Sequence, residues 1–195
     1  MCVMLKRVML VLACLFVMFA NQVSAANVKY FSEDATIREA LAMLNNVGAE
    51  EIFDNLQENS VKIMFYDLSQ ISYEYKNHFA INSTDTWGNR YILINAKYKN
   101  APIEQIACLI AHESFHKGEV ATLEEETQAT RKEAQYWIVL KKDNVAYAET
   151  SLTKRLNSLT NLESTSTLSH DCIQEKISNS SFYQNQLAVR ERRKF

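Results

Sequence analysis

The sequence predicts an α+β domain, mainly helical, with a small antiparallel sheet placed ahead of an apolar-faced helix that runs into two histidines. Three observations predict it. The chain has only three glycines and one proline in 195 residues, so few positions interrupt helices. β-Branched and aromatic residues concentrate in short runs between residues 61 and 95. Beyond Pro102, apolar residues recur at helical spacing, with polar punctuation between the runs.

At the N-terminal end, Lys6 and Arg7 precede an apolar run from Val8 to Ala20, and a polar stretch then closes on Val23-Ser24-Ala25. That layout is a secretory leader, with cleavage expected after Ala25 and a secreted or periplasmic destination. The run is about 13 residues long, short of the roughly 20 that a membrane span needs. Leu10-Val11-Leu12-Ala13-Cys14 has the outline of a lipoprotein box, but a cut there leaves too short an apolar run ahead of Cys14. Without residues 1–25 the chain keeps 170 of its 195 residues, the size of one domain. Lys6 and Arg7 leave with the leader, so 19 of the 21 basic residues face 23 acidic ones, a net charge of −4. That balance argues against nucleic acid as a partner. Cys108 and Cys172 remain, too few for a disulfide scaffold; in an oxidising compartment they can form one bridge, and otherwise Cys108 is a small core residue.

The remaining elements follow in order. Ile37, Leu41, Leu44, Val47 and Ile52 fall near helical spacing, which predicts one amphipathic helix over residues 36–57 before the polar Gln57-Glu58-Asn59-Ser60 break. Strands are predicted at Val61 to Tyr66, around Tyr73 to Ile81, and at Arg90 to Asn95 after the turn residues Thr86-Trp87-Gly88-Asn89. Pro102 suits the first turn of a helix that runs through Ile103 to Ala111 into the histidines and stops near Gly118. Thr122 and Glu125 have capping-box spacing and open the next helix, Leu123 to about Lys142. Further helices are expected over 144–160 and much of 168–190, joined by the Ser/Thr/Asn-rich stretch at 161–169.

The chemistry concentrates in His112-Glu113-Ser114-Phe115-His116. Histidines four apart on a helix project from one face, about one turn apart, and can ligate a single Zn²⁺. Glu113 follows the first ligand, where its carboxylate can lie beside an activated water rather than on the metal. Zinc lowers the pKa of such a water toward about 7 and polarises the scissile carbonyl, while Glu113 moves the proton to the leaving amine. A catalytic zinc needs a third protein ligand, and the next helix opens with Glu124, Glu125 and Glu126.

HESFH at 112–116 followed by Glu-Glu-Thr-Gln-Ala at 125–129 resembles the zincin-fold metallopeptidases, in particular their gluzincin branch. The resemblance covers roughly residues 86–142. It implies a zincin-like fold, one Zn²⁺ per chain, a peptide or protein substrate, and a third ligand on the helix after the motif. In several such families that glutamate stands three residues before an alanine, which selects Glu126, ahead of Glu125 and Glu124. Thr130 stands where those families often have an acidic or amide side chain. A strand bordering the cleft is also implied, and Arg90 to Asn95 fills that place. The metzincin pattern is excluded, because Glu119 and Thr122 occupy the positions of its glycine and third histidine.

His78, His170, Tyr91, Tyr98 and Tyr136 are candidates for stabilising an oxyanion, with packing as the default role of the tyrosines. The basic tail from Arg190 to Lys194 reads as a solvated terminus or a contact for anionic surfaces. Asn82-Ser83-Thr84 and Asn179-Ser180-Ser181 match the glycosylation triplet. Two rival readings share the motif: a non-catalytic zinc- or peptide-binding envelope protein on the same scaffold, and a helical structural protein in which HESFH is accidental.

Overall fold

Asp34 opens the first long helix, α1 (Ala35–Asn46), by accepting the backbone N–H groups of Thr36 and Ile37 at 2.9 and 3.3 Å. The computed structural model describes residues 28–118, 121–164 and 170–180, with 161–164 and 170–172 as backbone only. The leader, the His170 and Cys172 side chains, residues 165–169 and the basic tail therefore lie outside the described residues. Ile37, Ala40, Leu41 and Leu44 form the buried stripe of α1. Substituting Asp34 by Ala leaves two N–H groups of the first turn without that partner. A loss of about 1 kcal/mol in urea denaturation is expected.

The single helix predicted over 36–57 is two. Gly48 takes φ +73° after α1, its N–H reaches Asn45 O at 3.1 Å, and Ala49 N–H reaches Leu44 O at 3.1 Å. These are the two bonds of a left-handed helix stop, open to glycine without a Cβ penalty. The next helix, α2 (Glu50–Glu58), then buries Ile52 and Leu56.

Three strands follow: β1 (Lys62–Tyr66), β2 (Ala80–Thr84) and β3 (Arg90–Asn95), in the spatial order β1-β3-β2. The sheet is mixed, not antiparallel as expected. β2 and β3 form an antiparallel hairpin, with Ala80 opposite Ile94, but β1 runs parallel to β3, with Lys62 opposite Tyr91. The hairpin turn explains half of this: Asp85 accepts the N–H groups of Trp87 and Asn89, both at 2.9 Å, and Gly88 takes φ +86°. The other half is the connection after β1, which delivers β2 to the far side of β3. The strand predicted around Tyr73 starts only at Ala80. Ser72 caps a short 3-10 turn over Tyr73–Asn77, and Asn95 Nδ2 donates to the carbonyls of Lys76 and His78 at 3.1 and 2.9 Å.

Four more helices complete the described chain: α3 (Ile103–Ser114), α4 (Leu123–Leu140), α5 (Ser151–Ser164) and α6 (His170–Ser178). Every residue of α3 from Glu104 to Ser114 is buried, because α1, α4 and the sheet all pack on it. Two of its polar members find partners near its start: Glu104 pairs with Lys142 at 2.6 Å and Gln105 Nε2 donates to Thr153 Oγ1 at 2.8 Å. Cys108 is a fully buried free thiol on this helix. The predicted capping box forms, with Glu125 N–H on Thr122 Oγ1 at 3.1 Å and Thr122 N–H on Glu125 Oε2 at 2.8 Å. The helix expected from residue 144 begins at Ser151. Thr150 supplies its start, with Oγ1 accepting Thr153 N–H at 3.1 Å. α5 docks on α4 through Asn157, whose Oδ1 accepts Nε1 of the fully buried Trp137 at 3.1 Å.

Candidate metal centre

α3 carries His112 and Glu113 in its last turn, and His116 follows just past its end. The helix stops at Ser114 rather than near Gly118. Phe115 caps it, and the N–H groups of Phe115 and His116 reach back three residues to His112 O and Glu113 O, both at 3.2 Å. A final turn of this tighter kind leaves carbonyls to be satisfied from outside the helix. Two sheet residues do so. Asn82 Nδ2 donates to Glu113 O at 3.1 Å, and an Arg90 Nη2 donates to His116 O at 2.7 Å and to Asn82 Oδ1 at 3.0 Å. A guanidinium at a helix C-terminus also meets the negative end of the helix dipole. Asn82 is 8% exposed and bonded on both sides, so its triplet is not a modification site in the folded chain.

The two imidazoles lie with ring centroids 5.0 Å apart and planes at 75°. His112 Nε2 is 3.6 Å from Glu126 Oε2, and His116 Nε2 is 3.8 Å from Glu126 Oε1. A nitrogen of each histidine and an oxygen of Glu113 fall within 4.8 Å of one another, all three residues buried. This group can hold a metal ion. Among the three consecutive glutamates, Glu125 commits its carboxylate to the capping box and Glu124 is exposed, while Glu126 faces both histidines.

Behind the histidines lies an ion pair outside the motif. His112 Nδ1 lies 3.0 Å from Glu133 Oε2, within hydrogen-bond distance though not in straight alignment, so this carboxylate faces the outer edge of the ring. Glu133 is fully buried and takes both arms of Arg155, Nε to Oε1 at 3.0 Å and Nη2 to Oε2 at 2.7 Å. The sequence does hold one signal for it. Glu133 stands seven residues after Glu126, on the same face of α4, flanked by the buried Ala129, Thr130 and Ala134.

Burial and charge set the protonation of these groups. Burial pushes the Glu113 carboxyl up to about 7, against the opposing pull of His112. Burial, with His112 adding to it, takes His116 down to about 3, so this imidazole is neutral and open to ligation. Burial alone lowers His112, but Glu133 and then Glu126 and Glu113 carry it above the usual histidine value. Glu133 is the reverse: burial raises it, and Arg155 and His112 outweigh that and hold it at about 2. Glu113, Glu126 and Glu133 thus surround the two histidines, with Arg155 on Glu133 and Arg90 on the His116 carbonyl.

A cavity of about 970 Å³ opens on the cluster, walled by residues 71–84 on one side and by α4, α5 and α6 on the other. Its strand is β2, the sheet edge. The expectation that Arg90 to Asn95 borders the cleft is corrected: β3 is the central strand, because the hairpin places β2 between it and the cavity. Of the proposed oxyanion groups, His78 lines the cavity. Tyr91, Tyr98 and Tyr136 point elsewhere, to Asp85, Ser151 and Glu51. The described chain is thus a mainly helical α+β domain with a buried site able to hold a metal ion. No family model, curated protein or solved structure matches it.

Proposed function

We propose that this chain is an exported zinc metallopeptidase of the gluzincin type, with His112, His116 and Glu126 as ligands and Glu113 as the general base. The observation that carries it is the convergence of both Nε2 atoms on Glu126, at 3.6 and 3.8 Å. Two donors about 2.0–2.1 Å from one tetrahedral zinc lie roughly 3.3–3.4 Å apart, close to both of these separations. The donor set of two imidazoles and one carboxylate is that of a catalytic rather than a structural zinc. Export rests on the leader-like pattern of residues 1–25.

Zinc held there would supply Lewis acidity, activating water near neutral pH and polarising a carbonyl. The residues of the chain do the rest. β2 lies along the cavity with β3 on one side only, so its outer backbone groups can pair with an extended peptide. Glu113 takes a proton from water as its oxygen bonds to the carbonyl carbon, then returns that proton to the amine nitrogen as the C–N bond breaks. Asn82, bonded to the Glu113 carbonyl, fixes the backbone that carries this base. The test is a mixed peptide library incubated with the zinc-loaded protein and read by mass spectrometry. Cleavage that a chelator abolishes and added zinc restores is expected; a zinc-replete protein that cuts no peptide would contradict the proposal.

A further inference from the structure

We infer that Glu133, gripped by Arg155, is the positioning residue of the metal centre: it holds His112 with Nε2 turned toward Glu126. The inference rests on the metal-centre reading above and adds a role that the motif does not contain. Thr130, one turn past Glu126, is a neutral side chain. The carboxylate against His112 comes from two turns on, with Oε2 3.0 Å from Nδ1. Glu133 has no exposed surface, and a buried carboxylate without compensation is costly. Arg155 supplies the compensation through a two-armed grip at 3.0 and 2.7 Å, a geometry that also fixes the plane of the carboxylate. The chain of contacts therefore runs from α5 through α4 to α3, and its end is the ring edge opposite the one that meets Glu126.

Ligating histidines generally depend on such a partner at the other ring nitrogen. It sets tautomer and orientation, and its loss weakens metal binding about 10–100-fold. The decisive experiment measures zinc affinity by competition with a chromophoric chelator, together with the visible spectrum of the Co²⁺-loaded protein. Glu133→Gln is expected to weaken zinc by about 10–100-fold and to shift the Co²⁺ bands. The double variant Glu133→Gln with Arg155→Met removes both buried charges, and it is expected to be more thermostable than Glu133→Gln while still binding zinc weakly. Leu152→Ala, a fully buried site on the same helix as Arg155, is expected to lower Tm with wild-type affinity and spectrum. Wild-type affinity and spectrum in the double variant would overturn the role of Glu133 alone. A wild-type protein that takes up no zinc would overturn the metal centre itself, and this inference with it.

Discussion

Replacing Glu113 by Gln is expected to cut peptide hydrolysis by about 10²–10⁴-fold while leaving zinc bound, the range general-base catalysis contributes. The amide keeps the volume and shape of the side chain but cannot accept a proton. Burial pushes the native carboxyl up to about 7, and a neutral amide removes that desolvation cost. The variant is therefore expected to fold at least as stably as the parent. Its defect should appear in kcat with little change in KM, because the lost interaction belongs to the transition state. Full turnover in a zinc-loaded Glu113→Gln protein would remove Glu113 from the mechanism.

His116→Ala is expected to lower zinc affinity by about a hundredfold to a thousandfold. Protein zinc sites with four ligands bind with about 10–16 kcal/mol, so one ligand accounts for roughly 2.5–4 kcal/mol. The fold should survive. His116 lies past the end of α3, outside the hydrophobic core, and the bond that Arg90 makes to it goes to its backbone carbonyl, which alanine keeps. Isothermal titration with zinc, beside a thermal melt, separates the two effects. Unchanged affinity with an unchanged melt would exclude His116 as a ligand.

The centre of this site was legible in the sequence because its spacing is local. His112 and Glu113 lie in one helical turn, Thr122 and Glu125 announce the next helix, and Glu126 follows from the start of that helix. What the sequence hid depends on tertiary contact. The end of α3 is drawn out at Ser114 by Asn82 and Arg90, which come from strands about 30 residues earlier in the chain. The resemblance implies a cleft strand just ahead of the motif, which points to Arg90 to Asn95, yet Ile92 to Asn95 are buried on both faces, as suits a central strand. Ile92 and Ile94 have no exposure, whereas β2, more polar, takes the edge beside the cavity. The apolar spacing of residues 36–57 carries across Gly48 and so suggests one helix, whereas a positive φ at Gly48 ends the first of two. Glu133 and Arg155 are 22 residues apart and meet only when α5 folds back on α4.

Zinc content of the purified wild-type protein, measured by elemental analysis after metal-replete preparation and dialysis, decides whether HESFH and Glu126 form a metal site. About one zinc per chain is expected, sharply reduced in His116→Ala and Glu126→Ala. No retained zinc in the wild-type protein would contradict it and leave HESFH as the buried end of a structural helix.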